Sequence, residues 1–187
     1  MNLFKNSVNI SKDICRKTIN KGDIVVDATM GNGNDTEFLS SLVGENGKVY
    51  AFDIQKEAVE NTRAKLEEKK LIDRVILIND GHENIKKYIN EPVSLVLFNL
   101  GYLPKGDHNI TTKANSTLEA VKNSMELLKK EGLILIVIYH GHDEGKNEKN
   151  SLDEFSKTIS QKEFNVAKLK FMNQINQPPE LLVIEKR

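Results

Sequence analysis

The stretch Asp23-Ile-Val-Val-Asp27-Ala28-Thr29-Met30-Gly31-Asn32-Gly33-Asn34-Asp35-Thr36 decides how the chain folds. Its first half is a short β-branched run, the composition of a strand covered on both faces. Its second half is a loop with glycine at two points, where the backbone can take positive φ and approach a ligand closely. Beyond it, Asp35 to Leu42 reads as a helix, and free N–H groups at a helix start favour polar or anionic atoms. The next strand, Lys48 to Phe52, is followed by Asp53, about 20 residues beyond the loop, where a carboxylate would meet ribose hydroxyls.

Strand and helix patterns alternate outward from this unit. A loosely helical segment, Ser7 to Ile19, precedes it. After it come a charged amphipathic helix (Lys56 to Lys69), a strand (Arg74 to Ile78) and a short helix (Glu83 to Ile89). A strand (Val93 to Phe98), a helix (Leu118 to Lys130), a strand (Leu133 to Tyr139) and a helix (Leu152 to Ile159) follow. Such alternation predicts a doubly wound α/β fold with a mostly parallel sheet. Ligands in such folds sit beyond the carboxyl ends of the strands, so the residues just after each strand are the candidates for function. Two late strands, Asn165 to Phe171 and Leu181 to Glu185, are joined through Asn173 to Glu180 with no helix between. They predict an antiparallel hairpin at the sheet edge.

The chain has 187 residues, with 27 Lys+Arg against 27 Asp+Glu and 39% apolar residues. That balance suits one ordinary globular domain, with residues 1–22 as an N-terminal helical segment and 23–187 as the core. It excludes a basic coat for nucleic acid over the whole surface, so an RNA partner would need a local patch. Residues 1–22 offer one, with Lys5, Lys12, Arg16, Lys17 and Lys21 against Asp13. Lys105, Lys113, Lys168 and Lys170 extend it; the alternative is a solvated helix face. A single cysteine, Cys15, excludes an internal disulfide framework and a cysteine-rich zinc site. The N-terminus lacks the apolar core of a signal peptide, and the run Leu133 to Tyr139 is far too short to span a bilayer. A soluble, cytoplasmic protein without a membrane partner is expected.

The loop also discriminates between cofactors. A dinucleotide site prefers G-x-G-x-x-G, with a pyrophosphate against the helix start. Here Asp35 at the helix start repels pyrophosphate, and Asp27 before the loop adds to the effect. S-adenosyl-L-methionine carries a sulfonium, an ammonium and one carboxylate, and suits this acidic loop better. A tight strand-to-helix turn with a surface Asp is the plain alternative.

The pattern Asp27-x-Thr29-x-Gly31-x-Gly33, with Asp53 and Asp80, resembles the first three motifs of Rossmann-like S-adenosylmethionine-dependent methyltransferases. The resemblance implies a seven-stranded sheet, mostly parallel, with an antiparallel C-terminal hairpin strand. It implies that Asp27, Thr29, Gly31, Asn32, Gly33, Asn34, Asp35 and Thr36 cradle the methionine part of the cofactor. Asp53 with Ile54 and Gln55 would hold the ribose, and Asp80 with Gly81 and His82 the adenine. Thr29 stands where that family usually has its first glycine. More narrowly, DATMGNGNDT, FDIQ, FNLGYLPKGDH, YHGH and NQxNxPP resemble the YtqB-like family, named as rRNA methylases and including tRNA 5-(aminomethyl)-2-thiouridine methyltransferases. That resemblance implies a wobble-uridine enzyme. It would convert the aminomethyl group at tRNA position 34 to methylaminomethyl, with the anticodon stem-loop as partner. A homodimer stays an open alternative.

Asn99-Leu100-Gly101-Tyr102-Leu-Pro104 resembles the N-P-P-Y segment of amine methyltransferases, with Leu100-Gly101 in place of Pro-Pro. The resemblance implies that Asn99 accepts hydrogen bonds from the target nitrogen while Tyr102 packs on the substrate. A neutral amine needs no strong base, only a lone pair aimed along the S–CH3 axis, so positioning supplies most of the catalysis. Lys105 to Thr112, with His108 and Thr111, reads as a substrate lid or as an inert surface loop. All four histidines fall near strand ends. His82 is assigned to the adenine pocket, and His140 and His142 to substrate, His142 as base or phosphate contact. A plain polar rim is the alternative. Metal is set aside, because no H-x-x-x-H or H-E-x-x-H pattern occurs. Asn176, beside Pro178-Pro179, belongs to a loop that either closes over the target base or merely separates two strands. Methylation of rRNA, of a small-molecule or of a protein amine, and nicotinamide-dependent oxidation, are the competing functions.

Overall fold

A computed structural model describes residues 5–101 and 113–187. Seven strands form one sheet in the order β3-β2-β1-β4-β5-β7-β6. The strands are β1 (Ile24–Asp27), β2 (Lys48–Phe52), β3 (Val75–Ile78), β4 (Val93–Asn99), β5 (Leu128–Ile138), β6 (Phe164–Leu169) and β7 (Glu180–Lys186). The first five run parallel. β7 lies antiparallel between β5 and β6, so the chain ends in the expected hairpin with β6 at the edge. Edge strand β6 is exposed from Asn165 to Lys168 and half-buried at Phe164 and Leu169.

Helices cover both faces. On one side α1 (Ser7–Thr18), α2 (Asn34–Val43) and α3 (Lys56–Glu68) pack on Val25, Val49, Leu95 and Leu135. On the other, α4 (Ile85–Tyr88), α5 (Ala114–Leu127) and α6 (Asp143–Thr158) pack on Val26, Phe52, Val96 and Ile136. Six of the seven β4 residues are buried, the outcome expected of an unbroken apolar run between two helical layers.

Two helices differ from their sequence patterns. α5 starts at Ala114 rather than Leu118 and stops at Leu127. Its buried stripe is Thr117, Ala120, Val121 and Ser124, helical in spacing but half polar. Leu128 to Lys130 belong to β5 instead, before a bulge where Glu131 takes φ 64° and the register to β4 shifts. α6 starts at Asp143, nine residues before the expected Leu152. Its first turns are polar throughout, yet Glu148 is 2% exposed and accepts a hydrogen bond from the Thr117 hydroxyl of α5. A polar contact of this kind leaves no apolar periodicity for the sequence to display.

The order of strands reverses between β1 and β4, which are neighbours though residues 28–92 separate them. At such a switch point the loops beyond the strands diverge and leave a crevice.

Candidate active site

A cavity of about 1000 Å³ opens at that crevice, at the upper end of the usual small-ligand range. Its wall contains Thr29, Gly31, Asn32, Asn34 and Asp35 from the β1–α2 loop, then Asp53, Ile54 and Gln55 after β2. Asp80, Gly81 and His82 follow β3, Asn99, Leu100 and Gly101 follow β4, and His140 and His142 follow β5. Sixteen residues singled out in the sequence thus face one space. Tyr102, Pro104, Lys105, His108 and Thr111 lie outside the described residues.

The glycine loop is built on a buried carboxylate. Asp27 is fully buried, and its oxygens accept from the Thr36 hydroxyl at 2.6 Å and the Thr29 N–H at 3.1 Å. Burial and the nearby Asp35 push its carboxyl up to about 7, with Asp53 adding to the effect. Thr36 is equally buried. Both therefore lie beneath the loop rather than on the cavity wall, because their side chains satisfy each other. Gly33 is also off the wall. It takes φ 72°, and a Cβ there would stand 2.7 Å from the Thr62 side chain of α3. Its glycine serves close packing of helix on loop.

Asp53 spans the loop and the second strand. One oxygen accepts from the Gly31 N–H and the other from the Gln55 N–H, both at 2.9 Å. Each oxygen keeps a second lone pair for a hydroxyl. Asp80 accepts from Gly81 N–H, Asn84 and Tyr88 at 2.7 to 2.8 Å. Desolvation opposes its ionisation, but the Tyr88, Asn84 and Gly81 bonds win and hold it below the ordinary carboxylate value. His82 shares a hydrogen bond with the Ala28 carbonyl at 3.0 Å through Nδ1, which must then carry the proton. Burial keeps the ring neutral by lowering its pKa, so Nε2 is an acceptor.

Asn99 ends β4 in the middle of this arrangement. Its N–H donates to the Thr29 hydroxyl at 2.8 Å, and its Nδ2 donates to Asp35 at 3.1 Å. Its Oδ1 is buried without a hydrogen-bond partner among the described residues. The threonine in place of a first glycine thus ties the loop to β4. Asp35, expected to meet a cofactor, has its oxygens directed at Lys12 and Asn99.

His142 accepts the Gly145 N–H at 3.1 Å through Nδ1 and is the N-cap of α6. That nitrogen is committed to the helix start and cannot also act as a base. His140 points Nε2 toward buried Glu180, 3.6 Å away. Asn176 is exposed and off the wall. The Ser7 hydroxyl donates to the Pro179 carbonyl and pins this loop, and Gln177, at φ 44°, lines the cavity instead. The sequence reading missed Val8, Tyr139 and Ser116 on the wall, and had Lys12 and Lys113 as phosphate contacts rather than wall residues. Tyr139 carried a signal, its place at the end of β5. The position of α1 across the cavity carried none.

The wall carboxylates Asp53 and Asp80, beside a glycine loop, fit a cationic ligand with hydroxyl and amino donors better than a pyrophosphate. The chemistry of this donor set therefore fits S-adenosylmethionine. Among the described residues no three His, Cys, Asp or Glu side chains converge in a metal-binding group. No described helix is long and apolar enough to cross a membrane.

Comparison with known proteins agrees with that chemistry. Residues 49–185 match the family model described as "Putative rRNA methylase". A chloroplastic tRNA (mnm(5)s(2)U34)-methyltransferase of Arabidopsis thaliana is 36% identical over 179 residues, or 90% of this chain. The chain spans 65% of that relative's length. A crystal structure described as an rRNA-methylase from Clostridium thermocellum is 54% identical, with a TM-score of 0.97 over 98% of this chain and 99% of that one. A Streptococcus mutans structure, described as a methyltransferase in complex with SAH, is 43% identical, with a TM-score of 0.90 over 98% and 99% of the two chains. This family membership sets nicotinamide-dependent oxidation aside: the chain belongs to the rRNA methylase family of Rossmann-like S-adenosylmethionine-dependent methyltransferases.

Proposed function

We propose that the chain methylates the exocyclic amine of 5-aminomethyl-(2-thio)uridine at tRNA position 34, giving the methylaminomethyl form. The observation that carries this reading is the Asn99 Oδ1, a buried acceptor without a partner among the described residues, on a residue of the cavity wall at the end of β4. An unpaired buried acceptor is costly unless a ligand donates to it. A primary amine does so through N–H and keeps its lone pair free. Bound S-adenosylmethionine supplies a methyl group on a positively charged sulfur. The chain's own part is to orient and to exclude water. Asn99 holds the amine, and Asp53 and Asp80 offer acceptors for hydroxyl and amino groups. With Asn99 aligning the amine, no residue need remove a proton before the transfer. The wobble substrate is supported by the Arabidopsis relative, whose name specifies that nucleotide.

The test is transfer of labelled methyl to tRNA lacking only the final methyl. Incorporation at position 34 is expected, and none into that tRNA rejects the reading. Ribosomal RNA is the second substrate to assay, because the family description names it. Incorporation there and not into tRNA would move the activity to the ribosome.

A further inference from the structure

The Asn99 amide has one orientation imposed on it. An ionised carboxylate only accepts hydrogen bonds. The amide atom 3.1 Å from the Asp35 carboxylate must therefore be Nδ2, which leaves Oδ1 as the acceptor without a partner among the described residues. A flipped amide would set two acceptors against each other and show N–H groups to an incoming amine. Asp35 is itself held. Its other oxygen lies 2.8 Å from Nζ of Lys12, with the two side chains 12% and 24% exposed. Lys12 belongs to α1, and it lines the cavity as Asp35 does. The Asn99 main chain is anchored separately through Thr29. The acceptor at the end of β4 is thus aimed by the β1–α2 loop and, through Lys12, by the N-terminal helix.

We propose that Asp35 is a positioning residue that locks Asn99 with Oδ1 toward the methyl acceptor, with Lys12 as the second anchor of the lock. The proposal rests on the reading of Asn99 as the acceptor for the target nitrogen. It departs from the role of cofactor contact suggested by Asp35's place in the loop. It also makes α1 part of the catalytic arrangement rather than a cover on the sheet.

Asp35→Asn keeps the shape but no longer dictates which amide atom faces it. The probes are S-adenosylhomocysteine and sinefungin, an analogue with a primary amine where the transferable methyl stands. Calorimetry with the wild type, Asp35→Asn and Lys12→Met gives the affinity for each. Asp35→Asn is expected to weaken sinefungin about tenfold and S-adenosylhomocysteine less than about twofold, as for one lost hydrogen bond to a charged group. Lys12→Met should act in the same direction with a smaller loss. Methyl transfer by Asp35→Asn should fall in kcat while the cofactor KM holds. Equal weakening of both analogues would make Asp35 a cofactor contact and overturn the proposal, as would unchanged sinefungin affinity. Neither analogue involves RNA. A sinefungin loss on Asp35→Asn, with no methylation of aminomethyluridine RNA by the wild type, would reject the substrate and leave the positioning role intact.

Discussion

Asn99 and Asp27 show what single side chains do in this site. Removing the acceptor at Asn99 should affect transfer and not cofactor capture. Asn99→Ala is expected to lower kcat on the order of 100-fold, as when one preorganised hydrogen bond is lost, with cofactor affinity nearly unchanged by calorimetry. Asp27 carries a pH dependence. Its carboxyl is pushed from 3.8 up to about 7 by burial first and Asp35 second. Between those values the folded chain keeps a proton that the unfolded chain has lost. The residue's contribution to stability therefore falls as pH rises through that window and is constant above it. Asp27→Asn removes the titration while an amide can still bond Thr29 and Thr36. Thermal melts should show the variant above wild type at about pH 8, with the gap closing near pH 4. The sequence marked both residues, because acids and amides after strands are visible as letters. It did not separate Asp27, beneath the loop, from Asp53, on the wall. That distinction depends on which side chains satisfy one another in three dimensions.

Elements were legible where their buried faces are apolar. β1, β2, β4 and α3 lie within a few residues of their sequence patterns. α5 and the first half of α6 were obscured by a polar contact, Thr117 with Glu148. The same polar start of α6 hid the purpose of His142. As N-cap, His142 spares the Gly145 N–H an unpaired state. His142→Asn should keep the cap, since asparagine is among the best residues at this position. Its melting temperature and its pH–rate profile should match those of wild type. His142→Ala is expected to cost about 1 kcal/mol of stability by denaturant titration. A pH–rate profile that lost a limb in His142→Asn would show that the ring titrates in the reaction.

Across the whole molecule the zero net charge comes from pairing rather than from two plainly separated surfaces. Several cations proposed for phosphate contact are held internally: Lys12 by Asp35, Arg16 by Asp13, and Lys168 by Asp153 and Glu180. Lys5, Lys17, Lys21 and Lys113 are exposed. A partner RNA would then displace few counterions. Anticodon stem-loop binding should weaken with salt at a slope of only about −2 to −3 in log K against log salt. A slope of about −6 would require a broad basic footprint and contradict this. Topology at this scale was legible from the alternation of strands and helices. The seating of α1 was not, because it depends on contacts with segments far along the chain. The Ser7 hydroxyl meets the carbonyl of Pro179, 172 residues away. During synthesis α1 emerges before the seven strands, yet this tether forms only after the last strand's threshold has been made. A nascent chain holding the complete glycine loop and Asn99 still lacks the tether that seats Lys12 over them. Full assembly of the site is therefore a late event of chain growth, timed by residue 179 rather than by the glycine loop.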